Sequence, residues 1–389
     1  GGKGRREADE ANKPAEVEAI EAFLFSQAEF RHNVITHHCE IRWTEEAGFL
    51  PLTDRDVNTL WGRMNKTVGR VYLTDIYNVI HSEFVPLFNP FQSYFDHLPS
   101  WDGVSDPIGD LADTVHVKSD QAEFRDYFRK WFVGILPALL DDTVVNHEIL
   151  VLIGEQGLYK TTWFNFLLPP ELRFGYTDSI DFKSKQDAER SLGRFFLINI
   201  DEFDQISVNQ QGFLKHLLQK PVANLRKPYG TAIQEIRRYA SFIATSNQKD
   251  LLTDPSGSRR FICIEVTGPI HTNVTINYRQ LYAQAMDAIA KGERYWLDDS
   301  DEAILKQTNR EFEQPTPLEQ LFLCHFHPAE NEEEGDWMTP MEILSFLQTK
   351  TKDRLSINKV ALFGRALHKL GISSRRKTRG TEYHVVKKE

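Results

Sequence analysis

Cysteine is scarce in this chain. Cys39, Cys263 and Cys324 stand far apart in 389 residues, with neither a metal-ligand pair nor an even disulfide framework among them. That excludes a disulfide-stapled secreted fold and makes a reducing, cytoplasmic compartment the simplest setting. Long apolar runs are missing too, and charge interrupts the longest stretches, so no membrane span is expected. There is no internal repeat, which argues against a solenoid. Four histidines, His32, His37, His38 and His81, lack a Cys or carboxylate at ligand spacing, and they read as ordinary core or surface histidines. The start, Gly1 to Glu7, has neither an initiator methionine nor an apolar signal core; it reads as a cut end, with residues 1–14 disordered. At 389 residues the chain exceeds what one core normally supports, and two or three domains are expected.

What is present is a set of motifs in order. Val151 to Thr162 reads as an apolar strand running into a glycine-bearing turn that ends Lys-Thr and opens a helix. This is the pattern of a phosphate-binding loop. Gly154, Gln156, Gly157, Tyr159, Lys160, Thr161 and Thr162 would bind a nucleotide: backbone N–H groups converge on the phosphates, Lys160 reaches the β- and γ-phosphates, and the Thr161 hydroxyl sits on Mg²⁺. One residue departs from the G-x-x-x-x-G-K-[ST] pattern, because Tyr159 stands where glycine belongs.

Further on, Arg194 to Asp204 forms a buried-strand pattern ending in adjacent carboxylates. Asp201 is placed to hold the Mg²⁺ shell and Glu202 to polarise an attacking water. A third strand, Tyr239 to Asn247, ends in a polar residue suited to sensing a γ-phosphate. Arg259 and Arg260 then open another strand, from which an arginine could reach a neighbouring subunit's γ-phosphate. Singly, each has a plain reading as a helix cap, a turn residue or a solvated face. Their order and spacing fit a doubly wound sheet with the site at its carboxyl edge.

Together with Pro51 to Asn58, Phe88 to Phe91, Leu98 to Gly103 and Ser258 to Phe261, these motifs make the chain resemble the virulence-associated protein E family. The ATPase core of that family is similar to superfamily 3 helicases of phages, viruses and mobile elements. The resemblance implies an α/β protein with a P-loop, AAA+-like ATPase core at residues 119–312. A helical accessory or oligomerisation region would precede it at 15–118, and a winged-helix DNA-binding domain would follow at 313–389. It makes Lys160 and Thr161 the Walker A residues, Asp201 and Glu202 Walker B, Asn247 the sensor, and Arg259 or Arg260 the finger. It implies ATP and Mg²⁺ as cofactors and a homo-oligomeric ring, usually hexameric, that translocates on or unwinds DNA, with a fused or separate primase. In superfamily 3 motors the interval between Walker B and sensor strands carries a pore hairpin, where Arg226, Lys227 and Tyr229 would grip the DNA backbone. A plain surface hairpin is the alternative. The function expected is a helicase or translocase for replication of a mobile element or phage-like genome. The alternatives are a nucleotide-gated DNA-binding initiator, and an NTP-sensing scaffold in which Tyr159 suppresses hydrolysis.

The net charge of −10 argues against nucleic acid until its distribution is considered. From Lys350 onward twelve Lys or Arg face three acids, a net +9 that leaves −19 on the rest. Such asymmetry suits a phosphate-binding module on an acidic body. Thr339 to Leu347 reads as a capped helix and Ser356 to Leu370 as a second one ending at Gly371, followed by two strands around a basic turn that groups Arg375, Arg376, Lys377 and Arg379. Helix, helix and wing describe a winged helix; a charged, solvated tail is the alternative. The acidic segment Glu330 to Asp336 reads as a linker or loop before it. At the other end, residues 16–25 and 53–66 read as helices, 30–43 as strand, and 106–141 as helices leading into the core. The Pro- and aromatic-rich stretch 84–101 reads as a segment that wraps a surface without forming an element.

Overall fold

The computed structural model describes residues 15–226, 233–253, 255–351, 355 and 360–388. Helix α1 (Val17–Gln27) runs into β1 (Ala28–Asn33), which turns back through β2 (His38–Trp43). Phe30 pairs with Ile41 across this antiparallel ribbon, and both are buried against Leu24, Leu60 and Ile76. Next come β3 (Leu50–Pro51), α2 (Asp54–Thr67) and α3 (Leu73–Ile80). Thr53 starts α2 through a capping box, its side chain accepting from the Asp56 amide while Asp56 accepts from the Thr53 amide. Strand β4 (Leu87–Phe88) joins β1 in parallel and completes a four-stranded sheet of order β3-β2-β1-β4. The N-terminal region is therefore mixed α/β and not mainly helical, and the strand expected over 30–43 is present as the β1–β2 ribbon.

The stretch 84–101 also differs from expectation, since it supplies β4 and α4 (Pro90–Asp96). Asn89 Oδ1 accepts from the Phe91 and Gln92 amides at 3.0 and 3.2 Å, and Pro90 occupies the first helical position, where its missing N–H costs nothing. Phe91 and Phe95, four residues apart on one helical face, are buried in the central core, which a surface strap would not allow.

The central layer follows as α5 (Pro107–Ala112), α6 (Gln121–Leu140), β5 (Ile149–Ile153), α7 (Lys160–Asn165), β6 (Tyr176–Thr177), α8 (Lys185–Arg194), β7 (Leu197–Ile200) and α9 (Val208–Gln219). It continues through β8 (Val222–Arg226), β9 (Ile233–Arg237), β10 (Ser241–Ser246), β11 (Phe261–Glu265), α10 (Tyr278–Ala290) and α11 (Asp299–Thr308). Five strands make a parallel sheet of order β11-β5-β10-β7-β6. Helices cover both of its faces, which is why β5, β7 and β10 are buried along their whole length and read as mainly apolar runs, broken only by Asn199 in β7 and by Ser241, Thr245 and Ser246 in β10. Leu150 and Leu152 pack with Phe128, Phe132 and Tyr282 on one face. Ile149, Val151 and Ile153 pack with Leu192, Leu214 and Leu217 on the other. Because the strands run parallel, the segments that leave β5, β7 and β10 all emerge at one edge.

Strands β8 and β9 form the antiparallel hairpin expected between the second and third motif strands, with Arg226 paired to Ile233 at the last described position before the tip. Lys227 and Tyr229 lie outside the described residues. At the hairpin's base Arg238 is buried and donates to the carbonyls of Asn146, Leu217, Leu218, Lys220 and Ala240. Burial pushes its pKa down to about 9.

The C-terminal elements are α12 (Pro317–His325), β12 (Phe326–Pro328), β13 (Asp336–Met338), α13 (Pro340–Lys350), α14 (Val360–Lys369), β14 (Ser374–Lys377) and β15 (Gly380–Lys387). Strand β15 pairs antiparallel with β12, β13 and β14, and Phe322, Ile343, Leu347, Phe363 and Leu367 pack on Tyr383 and Val385. Helix α14 ends before Gly371, whose φ of +72° is readily adopted only by glycine. The acidic segment 330–336 is not a linker ahead of this module. It is a loop inside it, joining β12 to β13, because both flanking strands are held by β15. No described helix is long and apolar enough to cross a membrane.

Candidate functional site

The carboxyl edge of the parallel sheet collects most of the motif residues. Gly154 follows β5, and a Cβ there would come to 3.0 Å from the Val266 carbonyl and from a Leu158 methyl, so the first loop position has no room for a side chain. Gly157 has φ +88°. The backbone N–H groups of residues 156–161 make no hydrogen bond to any described residue. An unsatisfied run of amides beside a lysine is a setting suited to an anion.

Lys160 is buried, and its ammonium donates to the Gly154 carbonyl at 2.7 Å, the Glu155 carbonyl at 2.8 Å and Asn247 Oδ1 at 3.1 Å. Burial lowers its pKa, while the nearby Asp201 and Asp204 carboxylates pull the other way. Thr161 Oγ1 donates to Asp201 Oδ1 at 2.8 Å. That carboxylate also accepts from the Thr245 hydroxyl, and Thr245 Oγ1 in turn accepts from the Glu202 amide at 3.3 Å. The Thr161 hydroxyl and Asp201 carboxylate are hard oxygen donors of the kind Mg²⁺ takes. Glu202 is exposed in the left-handed region at φ +52°, and its carboxylate has no partner among the described residues. Of the three non-glycine residues with positive φ among those described, two, Tyr159 and Glu202, stand at this edge. Strain of this kind concentrates at working sites.

Four residues that the motif reading did not assign belong to the same edge. Thr245 bridges Asp201 and Glu202, as described. Asp204 accepts from Ser246 Oγ at 2.9 Å and the Asn247 amide at 3.1 Å; burial raises its pKa, but these hydrogen bonds prevail and hold it below the usual carboxylate range. Lys118 and Lys249 flank Glu265, the last residue of β11, at 3.1 and 2.6 Å. A Thr-Ser-Asn strand end could have pointed to Thr245. Lys118 had no signal at all, because it enters through an isolated bridge between Val117 and Val266.

Arg259 and Arg260 are not brought to this edge. They end a short helical turn that feeds β11, whose Phe261 lies beside Ile149, the first residue of β5. Four residue rises of roughly 3.3 Å place them about 13 Å or more from the loop, at the amino edge. Arg259 pairs with Glu302 at 3.0 Å, and Arg260 lies against the Gln219 side chain. In the C-terminal module, Arg375 and Arg379 both bind the buried Glu382, at 2.7 and 2.9 Å, and hold its carboxyl below the usual range. Arg376 and Lys377 are exposed and make no ion pair among the described residues.

Residues 96–314, more than half of the chain, match the Virulence-associated protein E-like domain. The chain belongs to this family. Residues 315–385, beyond the family domain, match a domain of unknown function from B. Theta, DUF3874. No curated protein matches the chain. Among solved structures it is similar to the apo structure of the NrS-1 C-terminal region, at 11% identity and a TM-score of 0.47, covering 97% of this chain and 100% of that one. The A form of the same apo region gives 12% identity and a TM-score of 0.46, covering 95% and 99%.

Proposed function

We propose that this family member is a P-loop ATPase that drives DNA translocation or unwinding in replication of a mobile element or phage-like genome. One observation carries the reading: Lys160, Thr161, Asp201 and Asn247, from three separate strand ends, form a hydrogen-bonded set beside a loop of unsatisfied amides. The loop amides and Lys160 would take the phosphates of ATP, Lys160 exchanging its contacts with the loop carbonyls and Asn247 for phosphate oxygens. Thr161 and Asp201 would hold Mg²⁺, which when bound supplies charge neutralisation at the phosphates. Glu202, exposed and unpaired, acts as the base that orients water, and Asn247 senses the γ-phosphate. The amino-edge position of Arg259 and Arg260 supports action on a neighbouring copy's site in a hexameric ring, since neither reaches the loop of its own chain. The C-terminal module, read as a winged helix, and the β8–β9 hairpin would engage DNA.

The deciding experiment is ATP turnover with Mg²⁺, with and without single-stranded or forked DNA, in the wild-type protein and in Lys160→Ala. DNA-stimulated turnover that disappears in the variant is expected; turnover at the wild-type rate in Lys160→Ala would remove the P-loop assignment. A second reading, an NTP-binding scaffold with slow hydrolysis, is favoured by the strained Tyr159 at the loop's glycine position. Tight ATP binding without measurable turnover would select it.

A further inference from the structure

Away from the carboxyl edge, a cleft lies between the central layer and the C-terminal module. It encloses about 650 Å³. Lys306 and Arg310 contribute from α11 and the turn after it, and Arg365 and His368 from α14. Pro340, Val360 and Ala361 add apolar surface. Lys306, Arg310 and Arg365 are exposed, and none of them forms an ion pair among the described residues. Glu313, the one carboxylate among the described lining residues, is buried and itself engaged.

Three unpaired cations meet at this one cleft although the chain as a whole carries −10. Elsewhere in the same module Arg375 and Arg379 are matched by Glu382 and Lys387 by Asp336, while Arg376 and Lys377 on the basic turn form no ion pair among the described residues. Three cations converging on one cleft with no ion pair among the described residues repel each other, and an anion that fills the space relieves this. The volume falls in the range of small-ligand sites, roughly 300–1,000 Å³, which suits about one or two nucleotides of a flexible strand and is too small for a duplex. Basic rims over an apolar floor are the arrangement by which proteins hold single strands, with phosphates on the cations and sugars and bases on the apolar surface.

We propose that this cleft is a seat for single-stranded nucleic acid, with Lys306, Arg310 and Arg365 holding successive phosphates. The inference rests on the reading of the chain as a DNA-engaging protein, and it moves the main contact from the basic turn at 375–379 to the cleft. The test uses the full chain and a fluorescein-labelled oligothymidine, with affinity measured by anisotropy across a salt series. Lys306→Ser, Arg310→Ser and Arg365→Ser should each shallow the log–log salt slope by about 0.7, the single-strand value per phosphate contact, and the triple variant by about 2, with affinity down about tenfold or more at low salt. Arg376→Ser/Lys377→Ser should bind the oligomer within about twofold of wild type. All these side chains are exposed, so melting temperature and DNA-independent ATP turnover should stay at wild-type values and show that the variants fold. Wild-type affinity and slope in the triple variant would overturn the cleft while leaving DNA binding itself intact. Failure of the wild-type protein to bind any oligomer would overturn the cleft together with the DNA-engaging function. Binding of a hairpin duplex but not of oligothymidine would overturn the single-strand assignment.

Discussion

Tyr159 stands where the loop pattern calls for glycine, and its backbone supports that expectation: φ is +62° and ψ 24°, in the left-handed region. For an L-residue this conformation costs roughly 1–2 kcal/mol, because Cβ crowds the following carbonyl. Glycine escapes that cost but gives up roughly 0.5–1 kcal/mol of backbone entropy on folding. The Tyr159 side chain offers little to offset the strain, since the residue is 53% exposed and no side-chain hydrogen bond caps the helix it precedes. Tyr159→Gly should therefore stabilise the protein by about 0.5–1 kcal/mol, the difference of those two terms. In a domain of this size that is a rise in melting temperature of about 1–3 °C. Tyr159→Ala is the control. It removes the same ring but keeps Cβ, so it keeps the strain and should not raise the melting temperature.

The same pair tests function, because the amide of residue 159 survives both changes. ATP affinity, followed by the shift in melting temperature with ATP and Mg²⁺, should stay within about threefold of wild type in Tyr159→Gly, and turnover should hold or rise. A fall in melting temperature of more than about 3 °C, or a tenfold loss of ATP affinity, would refute the reasoning. Either result would show that the ring packs on the loop or on the nucleotide, and that tyrosine was selected there in spite of its backbone.

Three further outcomes are expected. Glu202→Gln should bind ATP as wild type while turnover falls by on the order of 10²–10⁴-fold, since the amide cannot take up a proton; if Asp204→Asn abolishes turnover and Glu202→Gln does not, the base is the carboxylate held by Ser246 and Asn247. Arg259→Ala or Arg260→Ala should be inactive alone but recover turnover when mixed with Lys160→Ala, because finger arginines are worth about 10³-fold or more and each protein completes a site the other lacks; a monomer by light scattering in ATP and DNA, with no recovery, refutes the ring. Arg238→Met should destabilise the chain by about 3–5 kcal/mol in denaturant melts, as it leaves several buried carbonyls without their shared donor; a loss under about 1 kcal/mol would mean water replaces the guanidinium.

The parallel sheet was legible because burial on both faces forces mainly apolar strands, and Val151 to Ile153, Leu197 to Ile200 with its single Asn199, and Phe242 to Ala244 announce themselves in that way. The order of carboxylates and polar residues after those strands was legible for the same reason: a parallel strand delivers its next residue to a known edge. What the linear pattern lacked was partnership across elements. Two-residue strands such as β4 and β6 carry no periodicity of their own and exist only because β1 and β7 present free edges to them. The segment at 84–101 is ambiguous in the sequence because proline and aromatic clusters suit a surface strap as well as a capped helix start. Only the burial of Phe91 separates the two.

Charge shows the same limit more sharply, and it bears on where nucleic acid would sit. The tail carries +9, and by charge alone its densest cluster, at 375–379, is the natural contact. Glu382 is a single acid in that count, yet β15 pairs Arg375 with it across the ribbon and brings Arg379 to its other oxygen. One buried carboxylate thus engages two of the four cations, and withdrawing either arginine to a phosphate would leave Glu382 with an uncompensated share of its charge. Lys306 and Arg310 lie outside the basic tail, in a region whose net charge is negative, and the fold sets them in one cleft with Arg365, none of the three in an ion pair among the described residues. A phosphate entering there breaks no existing ion pair of those three cations. A net-charge count ranks the basic turn first, but an anion can engage three cations at the cleft without breaking an ion pair and only two, Arg376 and Lys377, at the turn, and that difference favours the cleft.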